Sequence, residues 1–137
     1  MKPSKIITIG ILGALAVSLG ALGAHFLKSK LETGLITADQ LAGFDTGVKY
    51  HMYHVIMMLI VVIMNYLRPN KWLDWAYACF FWGIVMFSGS LYFLCTRGLT
   101  GMEGLKVLGP VTPIGGLVFI AGWILLAISA LKPAKQS

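Results

Sequence analysis

The residues of this chain that could do chemistry are few, and their spacing limits what that chemistry can be. There are three histidines: His25, and then His51 and His54 within Tyr50-His51-Met52-Tyr53-His54. His51 and His54 stand at i and i+3, so on a helix both rings point to roughly one face. With His25 they could offer three imidazoles to a metal. Against that, the chain has only five Asp and Glu residues, none of them inside an apolar run, and no HExxH pattern or cysteine pair completes a site. The expectation is therefore no metal, no cofactor and no catalytic constellation, and the chain is not expected to be an enzyme. Histidines at a membrane interface are commonly satisfied by hydroxyls or backbone carbonyls. The hydroxyls on hand are those of Tyr50, Ser88, Ser90, Tyr92 and Thr112. Tyr50 and His54, one turn apart, also fit an ordinary stacked pair.

The elements that must position these residues follow from composition. Of 137 residues, 58% are hydrophobic and 12% charged, with a mean hydropathy of +0.81. A soluble domain carries about a quarter charged residues, so water cannot be the solvent for this surface. The bilayer can. A span needs about 20 apolar residues, and four runs qualify, at approximately 6–27, 50–67, 75–95 and 113–131. The first could be misread as a secretory leader, since Ala21-Leu22-Gly23 offers small residues, but it is long for that role and is read as a retained span. Ser29 with Glu32 and Thr37 with Gln40 both match the capping-box spacing. They suggest a short interfacial helix before Gly34, and a helix from near Ala38 that runs into the second span. The connection Arg68-Pro69-Asn70-Lys71 is short enough to make the second and third spans antiparallel neighbours. Thr112-Pro113 reads as a cap followed by proline at the first helical position, after a lead-in turn from Leu105 that Pro110 breaks. The expected fold is an all-α polytopic four-helix bundle, one integral membrane domain over 1–137.

The net charge of +6 comes from basic residues scattered between apolar runs, which suits headgroups and orientation rather than nucleic acid. With the N-terminus inside, the inner side carries Lys2, Lys5, Arg68, Lys71, Lys132 and Lys135, and the outer side Lys28, Lys30, Lys49, Arg97 and Lys106. Six against five favours both termini in the cytoplasm. Because the spans alternate in direction, His25, Tyr50, His51, His54, Ser88, Ser90, Tyr92 and Thr112 fall toward one side of the membrane. The other half offers chiefly Thr8 and Asn65. Polar groups in a membrane tend to face the bundle or a water-filled cavity, so a polar pocket in the outer half is expected.

Small residues suggest where helices meet. Ala16, Gly20 and Ala24 recur every fourth position in the first span, and Gly115, Gly116 and Gly122 mark the fourth. Tight helix packing or oligomer contact is the favoured reading of both sets, and a thin cavity wall the alternative. Trp72, Trp75, Tyr50 and Tyr53 read as interfacial belt residues. Trp82 and Trp123 fall near mid-span, where an indole N–H usually needs a partner. Ser88-Gly89-Ser90 can bond back to carbonyls one turn earlier and bend the helix. Cys79 and Cys95, sixteen positions apart on one helix, cannot pair.

These stretches together resemble a known family. Gly20-Ala21-Leu22-Gly23-Ala24-His25, Tyr50-His51-Met52-Tyr53-His54, Phe87-Ser88-Gly89-Ser90-Leu91-Tyr92, and Thr112-Pro113-Ile114-Gly115-Gly116 with Gly122-Trp123 look like the motifs of the YgdD/YwdK-type small bacterial inner-membrane proteins, whose domain carries an unknown-function label. The resemblance touches all four spans. It implies a four-span plasma-membrane protein and brings no activity or cofactor. In that family the position of His51 is often glutamine, which weakens a three-histidine site and leaves His25 and His54, with Tyr50, as the pair to examine.

Three function classes stay open. The first is a binding or permeation protein whose outer pocket accepts a small solute or lipid headgroup. The second is a structural or accessory protein docking to a larger complex through small-residue faces, a homo-oligomer being a separate partner expectation. The third is a metal-dependent membrane enzyme, for which acids and nucleophiles are too few. A proton-coupled exporter is disfavoured because no span carries a carboxylate at depth. The expected partners are membrane lipids, with no nucleic acid.

Overall fold

The computed structural model describes residues 2–131, and every element in that stretch is helical. Lys132, Pro133 and Lys135, which enter the expected charge balance and the end of the fourth span, lie outside the described residues. Helix α1 (Pro3–Leu22) passes through a π turn (Gly23–Leu27) into α2 (Lys28–Glu32) without a break. Helix α3 covers Ala38–Leu67. Helix α4 (Lys71–Gly83) passes through a second π turn (Ile84–Ser88) into α5 (Gly89–Thr100), and a 3-10 segment (Glu103–Leu108) leads to α6 (Val111–Leu131). Four helical stretches result, Pro3–Glu32, Ala38–Leu67, Lys71–Thr100 and Glu103–Leu131, the last with a turn at Gly109 and Pro110, each long and apolar enough to cross a membrane. They are the four expected spans, lengthened at their ends.

Local chemistry sets the boundaries, with two departures from expectation. Thr37 and Gln40 do form a reciprocal capping box at the start of α3, at 3.2 and 2.9 Å. Ser29 does not cap anything: its hydroxyl donates to the Phe26 carbonyl at 2.7 Å. The preceding residues are already helical, so no free N–H groups await a cap there. Thr112 is likewise not a cap. Helix α6 begins at Val111, and the Thr112 hydroxyl is committed to Ser90. Gly34 and Gly101 close helices at positive φ of 75° and 67°, a conformation that glycine adopts without steric cost.

The second span is central. It packs on the first and the third, while the fourth packs chiefly on the third. Glycines mark the closest approaches. A Cβ at Gly115 would run into the backbone of Phe87 and Met86, and one at Gly122 would lie 2.7 Å from the Phe80 ring. Ala16 is almost fully buried. Gly115, Gly122 and Ala16 thus sit at close helix contacts. Each π turn also faces the second span, Gly23 against Phe44 and Ser88 against Gly47.

Two apolar cores are separated by a polar layer. One contains Val55, Met58, Val61, Leu73, Ala76, Phe80, Ile84 and Phe119. The other contains Leu27, Ile36, Phe44 and Cys95. Between them in the chain order of the second and third spans sit His51, His54, Ser88 and Ser90, all buried. Cys79 and Cys95 are free thiols.

Candidate functional site

The polar layer is built from three separate sets of bonds. In the first, His51 and Tyr92 join the second and third spans, with Nδ1 of the imidazole 2.9 Å from the phenol oxygen. The ring is 3% exposed, and its Nε2 has no hydrogen-bond partner among the described residues. The Leu12 carbonyl of the first span lies near enough to act on it without completing a bond. Ser88, wholly buried one turn before Tyr92, has the same standing. Its hydroxyl interacts with the phenol but does not reach hydrogen-bond geometry.

The second set fixes His54 completely. Its Nδ1 is 2.7 Å from the Tyr50 carbonyl, and the Trp123 indole N–H donates to its Nε2 at 3.3 Å. A carbonyl only accepts and an indole only donates, so the proton sits on Nδ1 and the ring is neutral. Phe119 lies parallel to it, with ring centroids 3.5 Å apart and 8° between planes. Tyr50 lies beside this pair, its ring centroid 6.1 Å from that of His54 and 6.4 Å from that of Phe119. The second and fourth spans meet mainly through these side chains, so the stack fills the gap between them. Trp123 thus finds the indole partner expected of it. Trp82 does not: it is 56% exposed and sits edge-on to Phe81.

In the third set, Ser90 donates to the Phe87 carbonyl at 3.0 Å and lies 2.6 Å from the Thr112 hydroxyl. A hydroxyl has one proton to give, so Thr112 is the donor to Ser90. This ties the start of α6 to α5. Ser90 accordingly bonds back along its helix as expected, whereas Ser88 does not.

His25 joins none of these. It is exposed on the first π turn. Among the described residues no group of three or more His, Cys, Asp or Glu side chains could hold a metal. The pairing of His25 with His54 is therefore corrected: one ring faces outward and both nitrogens of the other are occupied. Tyr50, Tyr53 and Trp75 are exposed in the manner of belt residues, and Trp72 is half-buried.

An opening does lie toward the same side of the membrane, but beside the polar layer. A groove of about 390 Å³ runs between the first and second spans. Its walls are Gly20, Gly23, Ala24 and Leu31 on one side and Leu41, Ala42, Phe44 and Val48 on the other, with Lys28 and Asp45 also lining it. Asp45 pairs with Lys49 at 2.6 Å. Lys28 enters no ion pair among the described residues. Two members of the small-residue stripe, Gly20 and Ala24, thus line a groove while Ala16 packs.

The opposite end is not featureless. Lys5 reaches Asp74 at 2.6 Å, and Asn65 donates to the same carboxylate oxygen at 2.9 Å. Asn65 in turn accepts from the Asn70 N–H at 2.7 Å, and the Asn70 amide donates to the Ser129 carbonyl at 3.0 Å. This clasp ties all four spans together. Asp74 and Asn70 carried little weight in the sequence, where their neighbours are merely a short polar connection.

Comparison with known proteins places the chain. Residues 19–116 match the family described as "Protein of unknown function (DUF423)". The UPF0382 membrane protein YwdK of Bacillus subtilis is 39% identical over 134 residues, covering 92% of this chain and 95% of that protein. A UPF0382 membrane protein of Haemophilus influenzae is 38% identical, covering 96% and 97%. The UPF0382 inner membrane protein YgdD of Escherichia coli is 32% identical, covering 96% and 92%. No solved structure matches the chain. With its four spans and these relatives, the chain is a multi-pass membrane protein that belongs to the DUF423 family.

Proposed function

We propose that this protein binds a membrane amphiphile, a lipid or a solute with a lipid-like headgroup, in the groove between its first and second spans, and catalyses no reaction. The observation that carries this reading is the groove itself. It joins an apolar, small-residue floor to a lysine at its rim that enters no ion pair among the described residues. An acyl chain suits the floor. An anionic headgroup suits Lys28, which sits at the end of the first span where headgroups lie. The groove volume falls within the range of about 300–1,000 Å³ typical of ligand sites. The polar layer supports the same reading by exclusion. His54, Ser90 and Thr112 spend their bonds within the bundle, so the site expected there moves to the adjacent opening. We place the protein in the bacterial plasma membrane with both termini cytoplasmic, on the balance of basic residues and the name of the Escherichia coli relative.

Ala42→Phe tests it. Ala42 is exposed and lines the groove, so the ring fills the groove without entering the core. Purified protein retains a phosphatidylglycerol probe by native mass spectrometry, and Ala42→Phe lowers retention at least fivefold with an unchanged unfolding temperature. Equal retention by both forms overturns the reading. Isolation of a stable, stoichiometric protein partner seated on this groove would replace it with an accessory role.

A further inference from the structure

A second opening lies at the other end of the bundle. It holds about 380 Å³ and is lined by Lys2, Lys5, Asn65 and Asp74 over Val62, Tyr66 and Pro69. We infer that it is a site for a phospholipid headgroup that carries both a phosphodiester and a primary ammonium, of the phosphoethanolamine kind, in the leaflet opposite the first groove.

Depth argues first. Lys2 and Lys5 stand at the start of the first span, Asn65 and Tyr66 near the end of the second, and Asp74 in the first turn of α4. These are the positions that meet headgroups. The chemistry of the lining argues next. The Lys5 ammonium meets the Asp74 carboxylate at 2.6 Å and Lys2 lines the same opening, which is a dipolar lining and not a uniformly basic one. A phosphodiester accepts from Lys2 and Lys5, and the Asn65 amide already shows which side donates. A ligand ammonium donates to Asp74, whose Oδ2 takes part in neither the Lys5 nor the Asn65 bond, both of which fall on Oδ1. A choline headgroup has no N–H to give, and a glycerol headgroup has no cation.

The site is also pre-positioned, which lowers the ordering cost of binding. Lys5 is held by Asp74 at 2.6 Å and lies over the Tyr77 ring at 4.6 Å, and its side chain is only 22% exposed. Asp74 is held in turn by Asn65. The apolar Val62, Pro69 and Tyr66 beneath the charges suit the glycerol and acyl region, which favours a lipid over a free phosphate ester.

The test uses the full chain in detergent, with native mass spectrometry against phosphatidylethanolamine, phosphatidylcholine and phosphatidylglycerol of matched acyl chains. The wild type retains phosphatidylethanolamine at least fivefold over phosphatidylcholine. Asp74→Asn abolishes that preference and raises phosphatidylglycerol retention relative to phosphatidylethanolamine, a crossover that loss of fold does not mimic. Lys2→Glu, at an exposed residue outside the core, lowers retention of both lipids and serves if Asp74→Asn is unstable. The same differences persist in the Ala42→Phe background, which separates this site from the first groove. Equal retention of phosphatidylethanolamine and phosphatidylcholine by the wild type overturns the proposal. So does an unchanged preference in Asp74→Asn, or full competition by soluble glycerophosphoethanolamine.

Discussion

The two ends of this bundle solve the same problem with different chemistry. At the Lys5 end, charged and amide side chains bridge all four spans, and Asp74 is 58% exposed at its side chain. At the His51 end, the ties are imidazole, phenol and hydroxyl groups enclosed between two apolar cores. The first arrangement is redundant. Water can replace the exposed bonds to Asp74 when they break, so each of those contributes little. The second is not, because a buried polar group that loses its partner has nothing to turn to. The half that tolerates change is thus the clasp, and the half that does not is the polar layer.

The largest effect is expected where the polar layer depends on backbone contact. Gly115→Ala places a methyl group against the Phe87 backbone, 2.8 Å from its Cα and 2.9 Å from the Met86 carbonyl carbon. No rotamer change relieves that, so the third and fourth spans must separate. A cost of about 3 kcal/mol is expected, read as a fall in unfolding midpoint in detergent. Gly10→Ala, which meets nothing within 4 Å, is the control and leaves the midpoint unchanged or slightly raised. A neutral Gly115→Ala would mean that the two spans do not touch here, and the contrast between the ends would lose its firmest support.

Tyr92→Phe comes next. It removes the one hydrogen bond that the His51 ring makes among the described residues, where its Nε2 already lacks a partner. A buried imidazole with neither nitrogen satisfied is expected to cost about 1–3 kcal/mol. Replacing His51 by Phe in the same background should recover part of that loss, since the unsatisfied group then disappears. Thermal unfolding of the single and double variants measures this directly. If the double variant is no better than the single, the layer is held by packing and not by its polar bonds.

How much of this was legible from residues alone differs between the ends for a physical reason. The four spans were readable because the bilayer demands about 20 apolar residues in a row. Thr37 and Gln40 were readable because a capping box is local. What failed was rotation about each helix axis. A helix in lipid is apolar on its outer and inner faces alike, so no hydrophobic stripe announces which side packs. That is why His25 was grouped with His54, although one faces out and the other is enclosed. It is also why Lys5–Asp74 and His54–Trp123, both separated by 69 positions, could not be paired in advance. Asp74 gives no signal of its own in the sequence, because a single acid beside a turn has many ordinary explanations.

The smallest effect tests the redundancy of the clasp. Lys5→Gln removes the ion pair with Asp74 and the cation lying over Tyr77. Because Asp74 is mostly exposed and keeps Asn65 as a donor, the loss should lie between 0 and about 1 kcal/mol. Its diagnostic is salt. An exposed pair weakens as the screening length contracts from about 10 Å at 0.1 M to about 3 Å at 1 M. The midpoints of wild type and Lys5→Gln should therefore converge at high ionic strength, while the deficit of Tyr92→Phe stays constant. A salt-independent Lys5→Gln deficit as large as that of Tyr92→Phe would show that the clasp is as unforgiving as the polar layer, and the two ends would no longer differ in kind.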